Sequence, residues 1–370
     1  MRLKNYMGKL DINTFIDDSE YFNEEPYSRN NKKKEKEFLN ILLQLREHHL
    51  ENCLKYNKLN KNFDYKIPES LSSYPMLPVR LFKYDNVHSL PEEKIFKTLT
   101  SSGTSGQEPS KIYLDNFTAR RQTKTLSKIL SDVMPMARMP MIIIDFQDVR
   151  SSRNKFNARA AGVGGFSMFG KKPIYAFDEN NQLNLEAIDQ YIEDNAGLPI
   201  FLFGFTFVVW KHFISELKRL NKKIIFPEKS LLIHGGGWKK IEHESVSQSE
   251  FKNIFEEHTG IKKIVNYYGM VEQVGSIFTE CSEGYYHTTN YNDILIRDES
   301  NFKPLEYGQT GLIQLFSILP TSYPGHSILT EDLGIAHGID NCKCGKNGKY
   351  FSIVGRQAQS EPRGCSDVIK

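Results

Sequence analysis

The fold is decided by residues 199–237, which read PIFLFGF (199–205), FVVWKHFISELKRLN (207–221) and SLLIHGGG (230–237). The first and last pieces are continuous apolar runs, which are typical of strands that are covered on both faces. The middle piece predicts a helix that connects these two strands. A strand, a helix and a further strand in this order indicate an α/β fold with a largely parallel sheet.

The same alternation continues on both sides of this segment. Further strands are predicted in MPMIIIDF (139–146), PIYAFD (173–178) and KKIVNYYG (262–269), and further helices in LNLEAIDQYIEDNAG (183–197) and SQSEFKNIFEEHTG (247–260). The last third is mostly strands: DILIRD (293–298), TGLIQLFSIL (310–319) and KYFSIVGR (349–356). The sequence therefore predicts an α/β core with a β-rich end.

The start of the chain differs from this core. Leucines near helical spacing predict an amphipathic helix over residues 32–59, and KIFKTLT (94–100) and SKIYLD (110–115) predict a hairpin. We expect an N-terminal helical lobe at 1–95, belonging to the same unit as a core at 96–355, and a hinge and tail at 356–370.

Composition excludes several classes of protein. With 39% hydrophobic and 25% charged residues, the 370-residue chain is not of disordered type, and a net charge of +3 is too small for a dedicated nucleic-acid binder. The longest uncharged apolar stretch, 198–210, is shorter than the roughly 20 residues that span a membrane. Five cysteines, an odd number, and a charged N-terminus predict a cytoplasmic location, with no transmembrane segment.

A run of hydroxyls and glycines lies inside the predicted hairpin. It contains Ser101, Ser102, Gly103, Thr104, Ser105 and Gly106. Hydroxyls and exposed backbone N–H groups suit a polyphosphate, and glycine permits its close approach. Because such clusters are also common in surface turns, this segment alone leaves both interpretations open.

Three later segments decide between them. The run SSGTSGQEPS (101–110) resembles the phosphate loop of the adenylate-forming superfamily, which also has a glycine turn, Tyr-Gly-x-x-Glu, and an Asp ahead of a Gly-Arg hinge. This chain has HGGG (234–237), YGMVE (268–272), TEDLG (330–334) and then Gly355-Arg356, in that order. They lie at or near the ends of predicted strands, where open α/β sheets bind ligands.

The resemblance implies a role for each segment. Thr104 and its neighbours would hold the phosphates of ATP, Tyr268 of the Tyr268-Gly269 pair would stack on adenine, and Gly235, Gly236 and Gly237 would leave backbone groups open to the adenine edge. Glu272 would bind Mg²⁺, Asp332 would accept hydrogen bonds from the ribose, and Arg356 would mark the hinge. Taken singly, Tyr268 could be a core aromatic, Glu272 a helix N-terminal acid and Asp332 a turn residue.

Adenylate-forming enzymes usually carry a small C-terminal domain after the hinge, with a catalytic lysine. Only fourteen residues follow Arg356, so we expect that domain to be missing, with no replacement lysine assignable beyond the guesses Lys111 and Lys239. The tail contains Arg363-Gly364-Cys365, and nine residues beyond Arg356 can reach roughly 30 Å. A thiol beside an arginine is a candidate nucleophile. The alternative is an incidental terminal cysteine.

The expected lack of the small C-terminal domain, together with this cysteine, makes the chain similar to the acyl-protein synthetase (LuxE) family of the bacterial bioluminescence fatty-acid reductase. TSSGT, GGGWK and the late Gly-Cys carry the resemblance. It implies ATP-dependent adenylation of a fatty acid, transfer of the acyl group to Cys365 as a thioester, and delivery to an acyl-CoA reductase-like partner. YYGMVEQ (267–273) and CKCGKNGKYFSIVGR (342–356) are closer to phenylacetate-CoA ligases, which leaves the acid open.

A separate group of residues predicts a metal site. Cys281, His287, Cys342 and Cys344 would make a Cys₃His set for a structural zinc with no open position. The spacing Cys-x-Cys is less diagnostic than paired Cys-x-x-Cys motifs, so thiols without metal remain the alternative.

The sequence thus predicts an AMP-forming acid–thiol ligase that uses ATP and Mg²⁺. Two alternatives stay open at this point. One is an acyl- or aryl-CoA ligase of the phenylacetate-CoA ligase type, against which the missing domain counts. The other is a non-catalytic nucleotide-binding scaffold, which the absent lysine favours.

Overall fold

The computed structural model describes residues 11–62, 66–101, 108–147, 158–238, 245–273 and 275–357. The chain forms two compact units. Of the described residues, the first unit takes those within 11–98, 110–129 and 269–357, and the second takes those within 99–109 and 130–268. The first unit is therefore assembled from three separate pieces of chain.

The helices are α1 (Ile12–Asp17), α2 (Asn31–Asn52), α3 (Leu54–Asn62), α4 (Leu81–Tyr84), α5 (Asn116–Ser131), α6 (Ala158–Ser167), α7 (Leu185–Asp194), α8 (Thr206–Val208), α9 (Ser215–Arg219) and α10 (Gln248–Thr259). The strands are β1 (Leu77–Pro78), β2 (Lys97–Thr100), β3 (Lys111–Leu114), β4 (Met139–Ile144), β5 (Gly170–Tyr175), β6 (Phe201–Phe205), β7 (Leu231–Gly235), β8 (Lys263–Tyr268), β9 (Phe278–Thr279), β10 (Tyr286–His287), β11 (Asn292–Arg297), β12 (Thr310–Ser317), β13 (Ser327–Ile339) and β14 (Lys349–Arg356).

The second unit is built on a parallel sheet with strand order β5-β4-β6-β7-β8. Every residue of β4, β6 and β7 is buried, because helices connect these strands and cover the sheet. Adjacent strands end level with one another: Phe205 pairs with Gly235, and Gly235 pairs with Tyr267. The predicted α/β fold is confirmed, and the carboxyl ends of these strands form one edge.

The helices of the second unit begin and end at residues whose chemistry explains their limits. The side chain of Asn184 accepts a hydrogen bond from Ala187 N at the start of α7, and Ser247 accepts one from Glu250 N at the start of α10. Gly260 ends α10 in the left-handed region at φ +71°. The segment predicted as one helix over 207–221 is instead α8, a π-helix at Val209–Ile214 and α9.

The first unit contains the β-rich end that the sequence predicts. Its antiparallel strands follow the order β10-β14-β13-β12-β11, and β1 runs parallel to the start of β13. The predicted hairpin is present as the two-stranded sheet of β2 and β3. The predicted 32–59 helix is divided at Cys53 into α2 and α3.

A buried ion cluster joins α2 to the antiparallel sheet. The ammonium groups of Lys34 and Lys349 each lie 2.9 Å from a different carboxylate oxygen of Asp293. Burial alone would raise the pKa of Asp293, yet the two ammonium groups lower it to about 2. Apolar residues of α2, including Phe38, Leu42 and Leu45, continue the core around this cluster.

Among the described residues, no helix combines the length and the apolar character that crossing a membrane requires.

Candidate active site and metal cluster

The glycine turn of the second unit follows β7. Gly235 is the last residue of that strand, and a Cβ atom there would run into the ring of Tyr267 on the paired strand. Gly236 lies in the left-handed region at φ +80°, and a Cβ at Gly237 would meet no atom within 4 Å. Gly236 and Gly237 are exposed, so the turn presents bare backbone. This is the surface that an adenine edge would need.

A buried network of contacts holds Gly235, the first residue of this turn. The hydroxyl of Thr206 donates to the carbonyl oxygen of Gly235 at 3.1 Å and lies 2.9 Å from Nδ1 of His234. The imidazole of His234 stacks on Phe251 of α10, with 4.5 Å between ring centroids. Burial, with Lys252 nearby, lowers the pKa of His234 to about 3, so the imidazole is neutral.

Tyr268 lies at the same edge of the parallel sheet. It is the half-buried last residue of β8, directly after Tyr267, which pairs with Gly235. The parallel register therefore puts Tyr268 and the glycine turn at neighbouring strand ends. Gly269, the next residue, is exposed.

Glu272 lies in the first unit, in a short 3₁₀ helix at Val271–Gln273. Its side chain is buried and accepts a hydrogen bond of 2.7 Å from the hydroxyl of Ser110. Ser110 is fully buried and comes directly before β3. Ser110 was not among the predicted site residues, although it ends the hydroxyl-rich run 101–110.

Asp332 and Arg356 meet in the antiparallel sheet of the first unit. They are direct partners on β13 and β14, and Nε of Arg356 donates to Oδ1 of Asp332 at 3.0 Å. Arg356 also lies 3.4 Å from Glu331, which in turn forms an ion pair with Arg80. Asp332, predicted to contact the ribose, is thus bonded to Arg356, predicted to mark the hinge. Nothing in the sequence indicated that Glu331 and Arg80 would join them.

Part of the predicted site lies outside the described residues. This concerns Ser102, Gly103, Thr104, Ser105, Gly106 and Cys365. Ser101 is described, and it is a buried residue directly after β2. By unit, Gly235, Gly236, Gly237 and Tyr268 belong to the second, and Glu272, Asp332 and Arg356 to the first.

The four residues predicted to bind zinc come together in the first unit. The ligand atoms of Cys281, His287, Cys342 and Cys344 all lie within 4.8 Å of one another, and Sγ of Cys344 is 3.3 Å from Nε2 of His287. A tetrahedral site with Zn–S bonds near 2.3 Å separates its sulfur ligands by about 3.8 Å. The four ligand atoms are therefore near enough to one another to share one metal ion.

Two turns and one strand position these ligands. Cys281 precedes a turn that is closed by its own N–H donating to Tyr285 O, and the carbonyl of Cys342 accepts from Gly345 N. His287 is buried at the end of β10. Burial raises the pKa of the Cys281 and Cys344 thiols, so these two thiols are poor anions without a positive charge beside them.

A parallel α/β unit and an antiparallel unit that carries the Asp332–Arg356 pair define the class of fold, that of the adenylate-forming ligases. One solved structure with this fold is an open conformation of 2-hydroxyisobutyryl-CoA ligase in complex with 2-HIB-AMP and CoA. It superposes with a TM-score of 0.67 at 17% identity, over 95% of this chain and 80% of that one.

The model of the family described as "Acyl-protein synthetase, LuxE" matches residues 5–370. The chain therefore belongs to the acyl-protein synthetase (LuxE) family, and it is an enzyme of the ligase class. Two relatives are named long-chain-fatty-acid–luciferin-component ligase. The protein of Aliivibrio fischeri is 24% identical over 84% of this chain and 83% of its own length. That of Vibrio harveyi is 22% identical over 81% of this chain and 78% of its own.

Proposed function

We propose that this enzyme activates a carboxylic acid with ATP and transfers the acyl group to its own Cys365. In the first step a carboxylate oxygen attacks the α-phosphorus of ATP, the bond between the α-phosphorus and its bridging oxygen breaks, and pyrophosphate leaves. In the second step the thiolate of Cys365 attacks the acyl carbon, the bond to the AMP oxygen breaks, and AMP leaves. The thiol proton passes to solvent.

The glycine turn is the observation that carries this proposal. A turn that is bare backbone at Gly236 and Gly237, beside the strand that ends in Tyr268, offers N–H and C=O groups to a flat heterocycle and an aromatic ring to stack on it. The position of the turn at the carboxyl ends of parallel strands agrees with the general location of ligand sites in α/β sheets.

The family resemblance assigns further roles to charged residues of the first unit. Asp332 would accept hydrogen bonds from both ribose hydroxyls, and Arg356, already bonded to Asp332, fixes the orientation of that carboxylate. Glu272 would hold Mg²⁺, a role that suits a carboxylate oriented by the Ser110 hydroxyl. When bound, Mg²⁺ would neutralise charge on the phosphates.

The acid and the partner follow from the family. The two relatives are named for a long-chain fatty acid, which supports a fatty acid as the substrate here. An acyl thioester on the enzyme is an activated acyl donor. We propose that its partner is an acyl reductase, which would reduce the thioester to an aldehyde with a hydride donor of its own and leave the free thiol on this enzyme.

We also propose that Cys281, His287, Cys342 and Cys344 bind a structural Zn²⁺. Three thiols and one imidazole are the donor set that tetrahedral zinc prefers, and their ligand atoms already lie close together. The metal would supply the positive charge that these buried thiols need to ionise. Four protein ligands would leave no coordination position for a substrate.

The experiment that tests the main proposal is intact-mass spectrometry after incubation with ATP, Mg²⁺ and tetradecanoic acid. Wild type, Cys365→Ser and Cys53→Ser are compared, because Cys53 is a buried thiol at the end of α2. We expect an acyl adduct on wild type and Cys53→Ser, released by neutral hydroxylamine, and none on Cys365→Ser.

Other results would replace the proposal by a specific alternative. Pyrophosphate release without any adduct, with acyl-CoA formed when coenzyme A is added, would indicate an acyl- or aryl-CoA ligase. Neither adduct nor pyrophosphate with a panel of acids would indicate a nucleotide-binding scaffold.

A further inference from the structure

Thr206 and His234 form a buried pair that the proposed mechanism does not use. Thr206 comes directly after Phe205, the last residue of β6 to pair with β7, and it is 4% exposed. At this point the ladder between the two strands stops. The Thr206 hydroxyl bonds the carbonyl oxygen of Gly235, the last residue of β7, where a buried backbone group needs a partner.

The direction of these hydrogen bonds can be worked out from the number of protons. Thr206 has one hydroxyl hydrogen, and the carbonyl oxygen of Gly235 can only accept, so this hydrogen points to Gly235. Nδ1 of His234, 2.9 Å from the same hydroxyl oxygen, must then be the donor. The network therefore requires a proton on Nδ1 of His234, and stacking on Phe251 holds the plane of that ring.

This arrangement constrains the peptide bond that follows. The carbonyl of Gly235 and the N–H of Gly236 belong to one planar trans peptide unit and point in opposite directions. Fixing the oxygen toward Thr206 therefore fixes the N–H of Gly236 away from it. The three successive glycines have no side chains that could fix this direction, and glycine has the widest backbone freedom of any residue. The direction must therefore be set from outside the turn.

We propose that Thr206 is a positioning residue which, with His234, sets the direction of the Gly236 N–H for recognition of the adenine edge. This inference rests on the proposed nucleotide site at the glycine turn. Thr206 itself contacts neither nucleotide nor acid in this role. Its effect passes through the carbonyl of Gly235 to a single backbone donor, so it concerns the base and leaves the reacting groups unchanged.

The test compares Thr206→Val, which keeps the shape and removes the hydroxyl, with Thr206→Ser, which keeps the hydroxyl. We expect the KM for ATP to rise about tenfold in Thr206→Val, the effect of one lost hydrogen bond, and AMP binding measured by calorimetry to weaken equally. The kcat at saturating ATP should stay within about twofold of wild type, and Thr206→Ser should behave as wild type.

Base selectivity separates positioning from a merely structural role. The Gly236 N–H needs an acceptor such as N1 of adenine, and in inosine triphosphate N1 carries a hydrogen and cannot accept. The preference for ATP over inosine triphosphate should therefore fall in Thr206→Val and return in Thr206→Ser. An unchanged preference, or equal losses of activity with both nucleotides, would overturn the proposal. If wild type released no pyrophosphate, the proposed function would fail, while AMP binding by the two variants would still test the positioning role.

A measurement on wild type covers the case in which Thr206→Val does not fold. Imidazole ¹⁵N chemical shifts, assigned with a His234→Gln variant, should identify the Nδ1-protonated neutral form at neutral pH. The Nε2-protonated form would reverse the hydrogen bond and contradict the proposed network.

Discussion

Arg356 and Asp332 lie opposite each other on β14 and β13, and Nε of Arg356 donates to Oδ1 of Asp332 at 3.0 Å. The sheet register alone thus brings a cation to the carboxylate that we assign to the ribose. The same arginine lies 3.4 Å from Glu331, so the position of Asp332 depends on charges beyond its own partner.

Replacing Asp332 by Asn should weaken nucleotide binding more than it affects stability. The amide keeps the size of the side chain but loses the charge that two ribose hydroxyls and Arg356 share. We expect the KM for ATP to rise about 10–100-fold, the range for hydrogen bonds to a charged group. Pyrophosphate release measures this effect. Asp189→Asn, at an exposed position on α7, is the control and should match wild type. Equal ATP dependence in both variants would remove Asp332 from the site.

Replacing Glu272 by Gln should raise the Mg²⁺ concentration needed for half-maximal activity by about 10–100-fold, because a metal site loses an anionic ligand. Ser110→Ala should give a smaller change in the same direction, since the carboxylate remains but loses the hydroxyl that orients it. Activity is titrated with Mg²⁺ at saturating ATP. Glu283→Gln, in the exposed turn after Cys281, is the control. A Glu272→Gln enzyme with the wild-type Mg²⁺ curve would contradict the assignment.

Purified protein should contain one zinc per chain by mass-spectrometric metal analysis, and Cys344→Ser should lose it. Cys53→Ser, a change at a buried thiol in α2–α3, should retain it. Zinc loss should also speed proteolysis near residues 26–31, because the segment 340–347, which contains Cys342 and Cys344, contacts these residues. Nδ2 of Asn347 donates to Ser28 O at 3.2 Å, and Asn31 N donates to Asp340 at 2.8 Å. Equal zinc in wild type and Cys344→Ser would exclude the proposed ligand set.

Acid should destabilise the first unit through two stacked histidines. The ring centroids of His49 and His326 are 5.1 Å apart, and both side chains are fully buried. Burial, with Arg46 and His48 nearby, lowers the pKa of His326 to about 3, and burial beside His326 lowers the pKa of His49 well below its usual value. Below about pH 6.5 the unfolded chain therefore binds more protons than the folded one, so stability falls as the pH falls.

Urea unfolding between pH 7.5 and 5.5 measures this effect. As the pH falls below 6.5, the free energy of unfolding should fall more steeply for wild type than for His326→Gln. The difference should reach up to about 1.4 kcal/mol per pH unit. Gln190→Asn, a change at an exposed side chain on α7 that does not titrate, should keep the wild-type slope. Parallel slopes in all three proteins would mean that His326 is already protonated when folded.

The sequence predicted those features that depend on local pattern. Continuous apolar runs such as 201–205 identified the buried parallel strands, and a Cys-x-Cys turn with an upstream Cys and His identified four residues that the structure brings together. Family resemblance, and not pattern, selected Asp332 and Arg356. The domain boundaries at 95 and 355 stay predictions.

The features that sequence reasoning missed are pairings between distant residues. The hydroxyl of Ser110 bonds a carboxylate 162 residues away, and Thr206 bonds the glycine turn 29 residues later. One hydroxyl among many has no periodicity, so such a partner becomes visible only when the strands are in register. The π-helix at Val209–Ile214 was missed for a different reason, since its apolar residues fit an α-helix equally well.

The three-piece assembly of the first unit sets an order for folding during synthesis. Lys34 and the strand β1 must wait for Asp293 and β13, which lie more than two hundred residues later in the chain. At about 5–20 residues per second, ribosomes need on the order of ten seconds or more to pass from residue 98 to residue 269. During that interval all strands of the parallel sheet within residues 130–268 are made, while α2 still lacks its later core partners, such as Tyr291 and Phe316.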